Sequence, residues 1–332
     1  MKKNILITGG AGYIGSQVSH DLIKRGFKVF IIDNLSTGSL KLVSKKSKFY
    51  KLDIKNTKSL KKIIIKEKIN TIIHLASSLS VVESSKEPLK YFENNVVGTI
   101  SLMNSLVNTN VKNFIFSSTS AIYGNSKLRK ISENNTKSPI SNYAKSKLIC
   151  EDVIKYYCNN YNINFSILRY FNVAGADLEN KIGCLNEIGQ LFKNISKNIV
   201  QNKSFVNIYG KNYPTKDGTC VRDYIHVKDI SLIHLNCLNY ISKKNKSLEL
   251  NCGYGKGYSV LDIVKTFERV SKKRLKLKFL NRRDGDTTRA VCDTKLMNDL
   301  IKFKPKFNSI TKIAKDSLDW EFFIKKKIKD KF

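Results

Sequence analysis

Tyr143 and Lys147 stand four residues apart in the stretch SNYAKSKLICED (141–152). On a helix that spacing puts both side chains on one face, one turn apart. A phenol beside an ammonium is a proton-transfer pair. A free tyrosine has a pKa of about 10, and a neighbouring positive charge favours its phenolate. The same spacing also arises as a solvated stripe on a lysine-rich chain, so the pair takes its meaning from its surroundings. Upstream, the apolar run VKNFIFSST (111–119) ends in three hydroxyls, Ser117, Ser118 and Thr119. Thr119 can hydrogen-bond the oxygen that Tyr143 deprotonates and share that work. Together these groups could take a proton from a substrate hydroxyl near neutral pH.

A second set of residues suggests what that proton transfer would accompany. ITGGAGYIG (7–15) places Gly9, Gly12 and Gly15 between an apolar run and a helical stretch. The chain must turn tightly there and let its backbone approach a ligand. Amides at the helix start can hold a pyrophosphate. The spacing is GxxGxxG rather than GxGxxG, and a tight turn without a ligand is the competing reading. Asp33 ends the second apolar run, roughly twenty residues on, where a carboxylate can bond an adenosine ribose. It would also repel a 2′-phosphate. Asn34 follows and no arginine stands beside them, which favours NAD over NADP. Asp53, at the end of the third run, could meet the adenine amino group. Either aspartate can also be an ordinary strand-end residue.

Such groups need a scaffold, and the spacing of apolar runs supplies one. Strands are expected at 4–9, 28–34, 48–54, 69–76, 111–119 and 163–170. Helices are expected up to Gly26, over 60–68 and 88–109, and from Ser141, an N-cap residue. Apolar strands without polar alternation, separated by helices, argue for a parallel sheet covered on both faces. Ligands bind at the carboxyl ends of such strands, where Gly9, Asp33 and Thr119 fall. Beyond residue 175 the regularity fades, apart from an amphipathic helix over 259–273. The expected class is α/β. A Rossmann-type doubly wound parallel sheet over 1–175 would carry the dinucleotide and the Tyr/Lys helix. A smaller substrate-binding α/β region would cover 176–332, with the chain free to cross back to the sheet.

Composition bounds the alternatives. The 332 residues are 41% hydrophobic, enough for a real core. The formal net charge is +33, but only nine of the 60 basic residues are arginine, and the lysines run from end to end. A nucleic-acid binder would concentrate charge and use arginine on base edges. The charge therefore reads as compositional bias on exposed positions, still able to attract acidic small molecules. Seven cysteines (150, 158, 184, 220, 237, 252 and 292) form no CxxC, and only four histidines are present. Neither a disulfide framework nor a metal site is expected, and reduced thiols suit the cytoplasm. The apolar run at 5–7 is too short for a signal peptide, and no stretch reaches membrane-spanning length. The basic tail 322–332 reads as a terminal helix rather than a membrane contact.

Gly9, Gly12 and Gly15, taken with Thr119, Tyr143 and Lys147, resemble the extended short-chain dehydrogenase/reductase family. Six further stretches are similar to its UDP-hexose 4-epimerase branch, essentially from end to end: ESSKEPLKYFENNVVGT (83–99), NFIFSSTSAIYG (113–124), YAKSKL (143–148), LRYFNVAGA (168–176), YPTKDGTCVRDYIHVKD (213–229) and RRDGD (282–286). The resemblance implies that Tyr143 removes the sugar 4-hydroxyl proton while the 4-hydrogen leaves as hydride to NAD. A 4-keto sugar then turns over, still bound through its UDP, and takes the hydride back on its other face. It also implies that Tyr13, Ile14, Asp33, Asn34, Asp53, Ile54, Leu75, Ala76, Asn95, Ser117, Lys147 and Phe171 contact NAD beside the three glycines. Asn172, Arg222 and Arg283 would hold the diphosphate, whose oxygens suit a guanidinium fork. Tyr209 and Asp286 would meet the uridine.

Some positions depart from the family pattern. Leu79 falls near a lysine that some epimerases set against the cofactor, which would loosen NAD. In the loop 181–195, Gln190 and Leu191 stand in place of the usual His-Leu-Ile-Pro pattern, so the family's sugar contacts there are not carried over, although both residues fall on the expected substrate side. Ala290 falls on the gate over the sugar 2-substituent. Its small size leaves room for an N-acetyl group, making UDP-N-acetylhexosamines a further expected substrate. Epimerases of UDP-xylose or UDP-glucuronate are alternatives, since the sugar loop is the divergent part. A 4,6-dehydratase would have Asp-Glu after the threonine, where this chain has Ser120 and Ala121. A non-catalytic NAD-binding regulator would lack Tyr143 or Lys147. Family members are usually dimers through the helices expected here over 88–109 and 141–160.

Overall fold

The computed structural model describes residues 3–126, 128–186, 190–203 and 205–329. The expected apolar runs form strands β1 (Asn4–Thr8), β2 (Lys28–Asp33), β3 (Lys48–Lys51), β4 (Thr71–His74), β5 (Asn113–Thr119) and β6 (Asn164–Tyr170). After β7 (Asn172–Ala174), β8 (Phe205–Tyr209) and β9 (Val221–His226), strand β10 (Leu248–Cys252) returns to the first sheet. Its order is β3-β2-β1-β4-β5-β6-β10, and every pairing in it is parallel. The order reverses direction between β1 and β4, the place where doubly wound sheets bind ligands.

The strands lack polar alternation because both faces are covered. Ile5 and Ile7 pack with Val18, Leu22 and the helix Val227–Lys244, whereas Leu6 packs with Leu102, Phe114, Phe116 and Ile154 on the other face. The second unit centres on β9, flanked by β11 (Gly257–Ser259), β13 (Arg289–Ala290) and β7. A separate pair joins β8 to β12 (Lys276–Leu280). Helices Leu191–Val200, Val260–Ser271 and Ile310–Lys329 close over it through Phe192, Ile195, Phe267 and Leu318.

Two expected elements come out differently. The third strand stops at Lys51, so Asp53 lies in the turn beyond it, where the Lys55 amide and the Asn34 side chain bond its carboxylate. The helix expected over 88–109 is Pro88–Tyr91, a wide π turn over Phe92–Val97, and Gly98–Ser105. Inside that turn the Asn95 carbonyl accepts from the Thr99 hydroxyl and the Cys150 thiol. The helix ends early as the chain turns through Asn108 at φ +57°. The basic tail continues the last helix to Lys329, and 330–332 lie outside the described residues. Among the described residues, no helix is long and apolar enough to cross a membrane, and no acidic, histidine and cysteine group is placed to hold a metal. The seven cysteines are free and buried.

Candidate active site

The glycine turn connects β1 to the helix Tyr13–Lys24. Gly9 has φ +71°, and a Cβ on it would lie 2.6 Å from the Ala76 amide nitrogen. A Cβ on Gly15 would run into the Gly9 carbonyl oxygen. Gly12, the N-cap, is different: a Cβ there would meet only that same oxygen, at 3.3 Å. Packing demands glycine at 9 and 15, whereas a Cβ at position 12 meets one tight contact and is otherwise unobstructed. That space suits a pyrophosphate set against the helix amides, so the turn fits a dinucleotide. Leu75 and Ala76 follow β4 directly, the Leu75 amide bonding Thr8 and Ala76 walling Gly9. Ile14 packs into the core, and the Tyr13 hydroxyl donates to the Gly175 carbonyl at 2.6 Å.

Asp33 accepts from the Ala11 amide at 3.0 Å and the Leu35 amide at 2.8 Å. Burial raises its pKa, and the two amides oppose that rise. Each carboxylate oxygen keeps acceptor capacity, so Asp33 can pin the glycine turn to β2 and still bond a ribose. Asn34 donates to Asp53 at 3.0 Å. Ile54 is buried against Gly98. Asn95 is committed elsewhere. It accepts from the Ser78 amide at 2.8 Å and donates to Ser146 at 3.0 Å and the Ser78 carbonyl at 3.2 Å. It braces the loop after β4 against the helix Asn142–Asn160 instead of presenting a free donor.

That helix starts at Ser141, whose hydroxyl accepts from the Ala144 amide. Tyr143 sits in its first turn, edge-on to Tyr91 with ring centroids 6.4 Å apart. Burial raises the Tyr143 pKa, and a hydrogen bond from Thr119 lowers it. Thr119 closes β5 at 9% exposure, beside Ser117 at 8%. Lys147 is 2% exposed, and its ammonium lies 4.3 Å from the Phe116 ring centroid. Burial pulls its pKa down to about 8, opposed by Cys150 and Glu151. The phenol's hydrogen-bond partner is Thr119. The ammonium rests on an aromatic face, which leaves its N–H groups to a ligand.

A cleft of about 580 Å³ lies between the two units. Asn172, Gln190, Leu191, Tyr209, Arg222, Arg283 and Asp286 all line it, opposite Leu79–Val82. Asp286 accepts from Arg283 Nε at 2.9 Å and lies 3.7 Å from Arg222 Nη2. The Arg283 guanidinium sits over the Tyr209 ring at 4.6 Å. Two guanidinium groups share one carboxylate, leaving a positive surplus for an anion. Leu79, 45% exposed, belongs to the cleft wall. Residues 187–189 of the divergent loop lie outside the described residues. A wider, open hollow of about 930 Å³ follows the helix Val260–Ser271, but none of the expected site residues lines it.

The cleft meets the proton-transfer set at Gly285. This residue has φ +78°, and a Cβ there would lie 2.9 Å from Val81 and 3.5 Å from Ser141, the cap of the Tyr143 helix. Phe171, buried at the end of β6, packs with Ile122 and Tyr123, and Asn172 opens onto the cleft beside it. Ala290 pairs with Arg222 and leans on the same cluster; it does not line the cleft.

Three supporting residues escaped the sequence reading. Arg282 stacks on Tyr213 at 4.1 Å and donates to Asn212 at 2.8 Å, clamping the turn after Tyr209. Asp223, wholly buried, accepts from the Tyr254, Gly255 and Cys292 amides and ties β9 to the segment after Ala290. Burial pushes its pKa up to about 6. Arg169 is buried under the catalytic helix. Arginine is scarce here, and that was the available signal for Arg169 and Arg282.

A dinucleotide turn, a hydroxyl–phenol–ammonium set and a two-arginine cleft define a nicotinamide-dependent enzyme that acts on the hydroxyl of an anionic substrate. Residues 5–253 match the NAD dependent epimerase/dehydratase family, and the chain belongs to it. It is 38% identical over 317 residues to a UDP-glucose 4-epimerase of Lactobacillus helveticus, covering 95% of this chain and 96% of that one. Its fold is similar to that of the Stenotrophomonas maltophila UDP-glucose-4-epimerase with bound NAD and formylated UDP-arabinopyranose (TM-score 0.93, 30% identity, 98% and 99% of the two chains). The Brucella ovis UDP-glucose 4-epimerase in complex with NAD is similar as well (TM-score 0.91, 32% identity, 96% and 98%).

Proposed function

We propose that this protein is a UDP-hexose 4-epimerase that interconverts UDP-glucose and UDP-galactose, with NAD kept as a resident cofactor. The observation that carries the reading is the seating of the Gly285 turn, with Arg283 and Asp286, on the cap of the helix that holds Tyr143 and Lys147. NAD, when bound, supplies the hydride acceptor and donor at C4. The glycine turn, Asp33, Ser117 and Lys147 would hold it.

The residues of the chain do the rest. Arg222, Arg283 and Asn172 grip the diphosphate, and Tyr209 and Asp286 face the uridine. The nucleotide is then fixed while the sugar stays free to turn over. Tyr143 Oη takes the 4-hydroxyl proton and later returns it to the 4-oxygen. Thr119 Oγ1 hydrogen-bonds the reacting oxygens, and the Lys147 ammonium supplies positive charge in a dry setting. Gln190 and Leu191, which line the cleft, border the sugar, whereas Ala290, paired with Arg222 and off the cleft wall, is given no contact with the 2-substituent. The division into residues 1–175 for the cofactor and 176–332 for the substrate belongs to the same reading, with helix Val227–Lys244 and β10 lent back to the large sheet.

A homodimer is part of this reading. It is supported by the apolar surface left on the helices at 88–105 and 142–160, where Leu89 is 81% and Tyr156 75% exposed. A cytoplasmic setting is supported by seven unpaired thiols. Light scattering should give about twice the 37.9 kDa chain mass. The direct test is Tyr143→Phe, which should retain fold and NAD while losing interconversion of the two UDP-hexoses. Full turnover in that variant would contradict the assignment.

A further inference from the structure

A carboxylate and a guanidinium are sealed beneath the catalytic helix and take no part in the proton transfer. Glu151 and Arg169 side chains are both 0% exposed. Arg169 Nε donates to Glu151 Oε1 at 2.9 Å and Nη2 to Oε2 at 2.7 Å, a bidentate pair. Glu151 Oε1 also accepts from the Ser118 hydroxyl. Glu249 of β10 pairs with Arg169 from the far side. Arg169 Nη1 donates to the Tyr123 hydroxyl at 3.0 Å, which in turn donates to Asn251 at 2.8 Å.

The placement of this cluster is its informative property. Glu151 lies one helical turn beyond Lys147 and two beyond Tyr143, on the same face. Ser118 immediately precedes Thr119 and is the direct strand partner of Arg169. One carboxylate thus joins the helix bearing Tyr143 and Lys147 to the strand bearing Thr119 and to the strand beside it. Burying such charges is costly, and apolar replacements are often as stable. Stability alone is a weak reason for a network here, while fixed geometry is a strong one.

We propose that Glu151 is a positioning residue: by binding Ser118 and Arg169 together, it holds the Tyr143–Lys147 turn in register with Thr119. This rests on the epimerase reading above. Apart from Glu151, the groups facing the reacting pair are His74 on β4, Tyr91, Thr119 on β5, Tyr170 on β6 and Cys150 on the helix itself. None of them changes in the test.

The test uses NAD-loaded Ser118→Ala, which cuts only the tie between helix and β5 and leaves the ion pair whole, alongside Glu151→Gln and the hydroxyl-retaining Ser118→Thr. Ser118→Ala should lower kcat for UDP-galactose about tenfold, since sub-ångström misplacement of reacting groups is costly. Its KM should stay within about twofold, because the nucleotide contacts are untouched. The acid limb of its kcat–pH profile should move to higher pH, and Ser118→Thr should recover most of kcat. Glu151→Gln, if folded, should fall further. A folded Ser118→Ala with wild-type kcat and pH profile would overturn the proposal, as would a loss confined to KM or melting temperature. If the wild-type protein does not epimerise UDP-galactose, the functional reading fails instead, and the two failures are distinguishable.

Discussion

At the cofactor end, the site is walled by backbone. Gly9 and Gly15 have no space for a Cβ, Asp33 is bonded to two amides, and these three residues lie within one β-α-β segment. At the substrate end, it is made of side chains brought from far apart. Asn172, Tyr209, Arg222 and Arg283 arrive on four separate stretches, and Arg222 and Arg283 meet through Asp286. The contrast has a chemical reason. A dinucleotide held for every turnover is best served by rigid amides that cost little to pre-order. A sugar that must turn over needs a firm grip on its diphosphate and freedom beyond it.

Breaking the proton-transfer set that both ends share should have the largest effect. Tyr143→Phe should lower kcat by about 10³-fold, within the usual range for losing a general base, with circular dichroism unchanged. Lys147 offers a test with opposite signs for activity and stability. Its pKa is about 8 in the folded protein against 10.5 for the free group. Between those values the folded chain releases its proton before the unfolded chain does. Wild-type stability relative to Lys147→Met should therefore rise by about 3 kcal/mol from pH 8 to 10.5, while activity falls as the charge is lost. Urea titrations of both proteins at the two pH values measure this.

On the cofactor side alone, Gly15→Ala should cost about 1–3 kcal/mol from overpacking and release NAD on dialysis. Gly12→Ala should be milder in stability, yet still lower NAD retention, because its Cβ would enter the ligand's space. Equal stability loss at positions 12 and 15 would erase the distinction drawn between them. On the substrate side, Arg283→Lys keeps the charge but loses the fork and the Tyr209 stack. KM for UDP-galactose should rise about tenfold with kcat nearly unchanged. A fall confined to kcat would place Arg283 in the chemistry instead.

The same contrast explains what could be read in advance. Gly15, crowded by its own turn, and the Ser141 cap announce themselves because their reasons are local, and Gly9 and Asp33 are legible from their places at strand ends although Gly9 is crowded by distant Ala76. Thr119, Tyr143 and Lys147 were legible as a set, although their pairing was not. Lys147 rests on Phe116, thirty-one positions away, and Thr119 serves the phenol. The bonds of Asn95 to Ser78 and Ser146 join separate stretches and leave no local sign. The π turn was hidden because its widening rests on Thr99 and Cys150. The clamp of Arg282 on Tyr213 and the Glu151–Arg169–Ser118 junction are likewise long-range pairings. Strand β10 (LELNC) is short and carries Glu249, which gives no local sign that it closes the large sheet.

The central claim is tested most directly by incubating the purified protein with UDP-galactose, without added NAD, and following the anomeric proton signals by NMR. Conversion to an equilibrium mixture with UDP-glucose is the expected result and would establish epimerisation and a retained cofactor together. An unchanged UDP-galactose spectrum, both without and with added NAD, would contradict the assignment.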